Sequence, residues 1–129
     1  MKKKTVLLVD DDVIYLNVMK ERFENMGCVV LTALNGNIAL DMIEDFVFGD
    51  KCLCACVIDL HMDTMNGEDA VRLLRLCESE APLFKRTFMV CVTADSNANE
   101  RSVDSGMDAF FVKPLTDDDM CSILTLGDV

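Results

Sequence analysis

The chain is short of positive charge: 12 Lys+Arg face 23 Asp+Glu, a formal net charge of -11. Binding to a phosphate backbone needs clustered cations, so this balance argues against nucleic acid as a direct partner. Long apolar runs are missing as well. No stretch approaches the ~20 residues that a membrane span requires, and membrane insertion is not expected. Met1-Lys2-Lys3-Lys4 is basic like the start of an export signal, but Thr5 to Val9 is too short for its apolar part and Asp10 interrupts it. The expectation is a soluble protein, cytoplasmic (or nuclear) and not secreted. Linkers, repeats and low-complexity segments are absent too. With 129 residues and 51% hydrophobic content, the chain reads as a single domain over 1–129 with a real core.

Histidine is scarce, with His61 alone, and the usual Cys-pair spacings of zinc sites do not occur. Seven cysteines are an odd number in a chain without an export signal, which argues against a disulfide framework. Cys52, Cys54 and Cys56 form a C-x-C-x-C run, yet they fall in an apolar stretch where cysteine acts as a small buried hydrophobe. Cys28, Cys77, Cys91 and Cys121 are scattered and read the same way.

What the chain does have is alternation. Thr5 to Val9, Cys28 to Thr32, Cys52 to Ile58, Phe88 to Val92 and Ala109 to Val112 read as strands, largely apolar as parallel strands buried on both faces are. Between them lie helical spacings. Val13, Leu16, Met19, Phe23 and Met26 define one helix, closed by Gly27. Asn35 caps a second, running through Ile38, Ala39, Met42, Ile43 and Phe46. A third carries Ala70, Val71, Leu73, Leu74 and Cys77 from Gly67 onward. Ser96 to Ser105 has only Ala98 and Val103 as an apolar face. Thr116 caps the last, whose Asp117-Asp118-Asp119 suits a helix N-terminus and whose Met120, Ile123 and Leu124 turn inward. Five strands alternating with five helices predict a three-layer α/β sandwich of the flavodoxin-like type, with a parallel sheet in the order 2-1-3-4-5.

Ligands of such sheets bind beyond the carboxyl ends of the strands. Asp10 and Asp11 follow the first strand, Asp59 the third, Thr93 the fourth and Lys113 the fifth. Like charges about 4 Å apart repel by about 4 kcal/mol at an effective dielectric near 20, so the three carboxylates need a cation. Oxygen-only ligands select Mg²⁺ (or Mn²⁺). An incoming phosphoryl group would meet Asp59 as nucleophile, with the metal, Lys113 and Thr93 on its oxygens. Each residue alone has an ordinary explanation as turn, cap or loop. Together, in order, they point to a phosphoryl-accepting site.

Leu8-Val9-Asp10-Asp11-Asp12, Asp59-Leu60-His61-Met62 with Met65-Asn66-Gly67, Thr93-Ala94 and Lys113-Pro114 resemble the motifs of two-component response-regulator receiver domains. The resemblance covers essentially the whole chain. It implies that Asp59 is the phosphoacceptor, fed by a histidine kinase or a histidine phosphotransfer protein. It also implies Asp11 as a direct Mg²⁺ ligand, Asp10 as a water-mediated one and the backbone carbonyl of His61 as a further one. Thr93 becomes the switch hydroxyl and Lys113 the phosphate-binding ammonium, followed by a cis-favoured bond to Pro114. Phe110 stands where the family often has a switch Tyr, and Asp63 where it usually has Pro. His61 and Asp95 fall two residues after Asp59 and Thr93, at positions that tune phosphoaspartate lifetime. Output would run through the face formed by the fourth helix, fifth strand and fifth helix, to a downstream protein target.

No DNA-binding output domain is expected after Val129. The chain reads as a stand-alone receiver or the receiver piece of a hybrid kinase, and as a signalling domain rather than an enzyme. Two other classes compete. A Mg²⁺-dependent phosphatase with an aspartyl nucleophile would want a second acid where His61 stands. A flavodoxin-like cofactor binder would want a phosphate-cradling loop where this chain has three acids.

Overall fold

β1 (Thr5–Val9) sits inside the sheet, flanked on one side by β2 (Val29–Ala33) and on the other by β3 (Ala55–Asp59). β4 (Met89–Thr93) and β5 (Ala109–Val112) complete the order β2-β1-β3-β4-β5, with every neighbouring pair parallel. This is the predicted topology. The computed structural model describes residues 3–48, 53–60, 67–80, 86–94 and 106–127. The helix expected over Ser96 to Ser105, together with His61, Asp63, Asp95 and Cys52, lies outside them.

Four helices are described: α1 (Val13–Asn25), α2 (Gly36–Phe48), α3 (Gly67–Glu80) and α4 (Asp117–Leu126). Strand side chains alternate between the two sheet faces, and this alternation splits the core in two. Val6, Leu8, Val57, Val90 and Val92 pack with Leu16, Met19 and Phe23 of α1 and with Met120, Ile123 and Leu124 of α4. Leu7, Val9, Cys56, Ile58 and Cys91 pack on the opposite face with Ala39 and Ile43 of α2 and Ala70, Val71 and Leu74 of α3.

Helix ends follow the local chemistry. The Asp12 side chain caps α1, accepting from the N–H groups of Ile14 and Tyr15. Asn35 accepts from the Ile38 N–H at 2.9 Å at the start of α2. Thr116 and Asp119 form a reciprocal capping box on α4. Gly27, at φ +90, supplies the left-handed residue beyond α1.

Some sequence expectations need correction. β3 begins at Ala55 rather than Cys52, because its ladder with β1 starts at the Val6–Ala55 pair. β2 is displaced by one residue and α3 runs on to Glu80. Val13 and Met26 are exposed, one the first residue of α1 and the other the residue just beyond its last. Ile38 and Leu73 are exposed too. The buried stripe of α3 runs through Ala70, Val71 and Leu74, and Leu73 points away from it.

The amino end of the sheet, away from the acidic residues, is tied by Arg75 of α3. Its guanidinium donates to the carbonyls of Gly106 and Thr87 and pairs with Glu78 at 2.6 Å and Asp108 at 2.8 Å. Glu78 in turn accepts from the Thr87 N–H, and Asp108 from that of Met89. Gly106 sits at φ +100, and a Cβ there would stand 2.9 Å from Arg75 Cγ. Glycine is required on both counts.

Candidate functional site

Alternation along the strands decides which side chains meet beyond the sheet. Leu8, Val57 and Phe111 face the α1 side, so Asp10, Asp59 and Lys113, each two residues further on, fall on that side as well. Thr93 keeps the phase of Cys91, on the side of α2 and α3, and is fully buried. Phe110 pairs with Cys91 across the β4–β5 ladder and is half-buried on the same side, diagonal to Thr93.

Asp10 is buried to 2% side-chain exposure, and its charge is compensated at short range. One carboxylate oxygen accepts the Asp12 N–H at 2.9 Å, and the other accepts from Lys113 Nζ at 2.8 Å. The same ammonium stands 3.5 Å from an oxygen of Asp59. Carboxylate oxygens of Asp10, Asp11 and Asp59 all lie within 4.8 Å of one another, a group that could hold a metal ion. Asp10 is buried, Asp59 partly so, and Asp11 exposed.

Lys113 is anchored through the chain that follows it. The Lys113–Pro114 peptide is cis. Leu115 is buried, and its carbonyl accepts from Arg22 of α1, whose guanidinium also pairs with Asp117. Burial opposes the charge on Lys113, but the hydrogen bond it donates to Asp10 and the charges of Asp59 and Asp10 outweigh it. They hold the ammonium above the ordinary lysine pKa.

One residue here carries no signal in the sequence. Tyr15, in the first turn of α1, lies with its ring face under Lys113, Nζ 4.2 Å from the ring centroid. Burial pushes its hydroxyl above the usual range; Lys113 opposes this, and Asp10 and Asp59 add to it. Tyr15, Asp10 and Asp59 share a water-sized void of about 10 Å³ with Val57, Val92 and Leu115. Its place four residues after Asp11 is ordinary helical spacing, which by itself marks no chemistry.

Asp10, Asp11, Asp59 and Lys113 are thus brought together as the sequence predicts. Thr93 ends the strand beside Asp59, whose Cα partner is Val92. A hard divalent cation fits the chemistry of the set: three carboxylates, no nitrogen or sulfur donor among them, grouped closely enough to coordinate directly or through water.

The profile of the response regulator receiver domain family matches residues 6–125. Among curated relatives, the chain is 32% identical over 124 residues to the sensor histidine kinase GacS of Pseudomonas protegens, covering 92% of this chain and 12% of that protein. The chain spans only about 5% of the Dictyostelium discoideum hybrid signal transduction histidine kinase A, at 29% identity over 88% of this chain. The fold is similar to that of a Saccharomyces cerevisiae response-regulator receiver domain crystallised with a histidine phosphotransfer signalling protein. The TM-score is 0.82 at 20% identity, over 95% of this chain and 87% of that one. It is also similar to the receiver domain of a Pseudomonas aeruginosa sensor histidine kinase, which has a magnesium ion in its active-site cleft. There the TM-score is 0.79 at 21% identity, over 97% of both chains. Among the described residues, no helix is long and apolar enough to cross a membrane.

Proposed function

Since this chain belongs to the response regulator receiver domain family, we propose that it takes a phosphoryl group from a phosphohistidine donor onto Asp59. The observation that carries this reading is the placement of the Asp59 carboxylate between two further acids and the Lys113 ammonium. One Asp59 oxygen forms the new bond to phosphorus as the nitrogen–phosphorus bond of the donor breaks. The electron pair leaves on the imidazole nitrogen. Mg²⁺ (or Mn²⁺) held by Asp10, Asp11 and Asp59 would supply positive charge against the phosphoryl oxygens, with the His61 carbonyl as the remaining protein ligand. Lys113, held on Asp10 and 3.5 Å from Asp59, is close enough to turn onto a transferred phosphoryl oxygen, and the Thr93 hydroxyl donates to another.

The switch follows from the same register. Movement of Thr93 toward a phosphorylated Asp59 alters the space on the face it shares with Phe110, and Phe110 fills it. That change remodels the surface of β5 and α4, where a downstream protein would bind. His61 and Asp95 set the lifetime of the acyl phosphate. The donor is a histidine kinase or a histidine phosphotransfer protein, as in the co-crystallised yeast pair. Phosphoryl transfer to and from such a protein separates relay from terminal output.

The test is direct. Incubation with Mg²⁺ and phosphoramidate should add one phosphoryl group per chain, mapped by mass to Asp59, and Asp59→Asn should take none. Labelling that persists in Asp59→Asn would refute the assignment.

A further inference from the structure

We infer that Tyr15 is a positioning residue for Lys113, its ring holding the ammonium where an incoming phosphoryl oxygen must be met. The inference rests on the phosphoacceptor reading above.

Lys113 has three N–H donors. One goes to Asp10 at 2.8 Å, and Asp59 stands at 3.5 Å. The Tyr15 ring covers a further side of the ammonium, 4.2 Å away, within the ~6 Å reach of a cation–π contact. A lysine side chain has many rotamers, and a partly exposed one spends much of its time extended into water. The ring removes that freedom without offering a competing anion. Lys113 can therefore exchange Asp10 for a phosphoryl oxygen by a small reorientation, rather than by recruitment from solvent. Electrostatic stabilisation of this kind works best when the charge is already in place.

The ring is itself fixed. Tyr15 donates its backbone N–H to the Asp12 carboxylate at 3.2 Å, in the cap that sets the first turn of α1. Arg22, two turns further along the same helix, grips the Leu115 carbonyl just after Lys113. α1 thus fixes both the chain bearing the lysine and the ring under its end. Tyr15 also walls the small void against Asp10 and Asp59, so it closes the α1 side of the site.

The test compares Tyr15→Phe, Tyr15→Leu, Lys113→Met and the Tyr15→Leu/Lys113→Met double variant. The readout is the rate at which phosphoramidate with Mg²⁺ labels Asp59. Tyr15→Phe keeps the ring face and should label within about twofold of the parent. Tyr15→Leu should be slower by about five- to thirtyfold, the range of a partly desolvated cation–π contact. In the Lys113→Met background, Tyr15→Leu should have no further effect. Parental labelling by Tyr15→Leu, or the same loss with Lys113 already removed, would overturn the inference. A parent protein that takes no phosphoryl group at Asp59 would instead sink the functional reading.

A second measurement does not depend on how Tyr15→Leu folds. In the parent, proton NMR should show the Lys113 ε-methylene shifted upfield by the ring, and the same shift in Tyr15→Phe. An ε-methylene at the ordinary lysine position would refute the contact.

Discussion

Lys113 and Asp10 show how a charged residue can be buried at a working site. Asp10 is almost fully enclosed, and an isolated carboxylate there would be strongly disfavoured. A hydrogen bond from the backbone and one from the lysine make it tolerable. Cys56 shows the opposite solution. Complete burial in the α2–α3 half of the core pushes its thiol from the ordinary 9.0 up to about 12, against the opposing charge of Arg75. Its folded value is raised, so the stabilisation is full below about pH 9. It is lost as pH climbs toward 12, where the unfolded chain ionises and the native one does not. The whole effect is on the order of 4 kcal/mol, from about 1.4 kcal/mol per unit. Urea unfolding from pH 8 to 11 should therefore show a steeper loss of stability in the parent than in Cys56→Ala, by up to one proton. Equal slopes would mean the thiol is not sealed from water.

At the scale of elements, caps and register do the positioning. α4 begins with a capping box in which the Thr116 hydroxyl accepts from the Asp119 N–H at 3.0 Å, and Asp119 accepts from the Thr116 N–H at 2.9 Å. Three aspartates fill its first turn. Thr116→Ala should lower stability by about 1 kcal/mol, read as a lower urea midpoint at unchanged slope. Thr125 in the same helix merely donates to the Cys121 carbonyl one turn back, so Thr125→Ala serves as the control and should change little. The strand boundaries were legible to within one to three residues, because apolar runs bounded by Asp, Asn and Gly leave few alternatives. The outward turn of Ile38 and Leu73 was not. Several apolar residues on one helix are compatible with more than one face, and only the sheet chooses among them.

At the scale of the molecule, the acidic edge of the sheet couples metal to stability. Asp10, Asp11 and Asp59 crowd one end, and Lys113 balances only part of their charge. A cation that binds the folded form alone stabilises it by about 2.7 kcal/mol at a hundredfold excess over its Kd. Added Mg²⁺ should raise the melting temperature of the parent but hardly that of Asp11→Asn. In chelator the order should be equal or reversed, because Asn removes a like charge from the cluster. A parent melting point indifferent to Mg²⁺ would argue against the metal site. The Arg75 network closes the opposite end of the sheet with fully matched donors and acceptors, so the two ends have separate tasks.

By itself the sequence determined the alternation of strands and helices, and with it the sheet order and the placing of Asp10, Asp11, Asp59, Thr93 and Lys113 at strand ends. These follow from chain-local patterns: apolar runs, caps and the charge that ends each run. The tertiary structure alone decided that Lys113 rests on Asp10 rather than on Asp59, that Thr93 and Phe110 share the other face, and that the lysine lies over Tyr15. Residues 15 and 113 are brought together by packing α1 across the sheet. A contact made through two separately folded elements leaves no period or spacing in the chain to read.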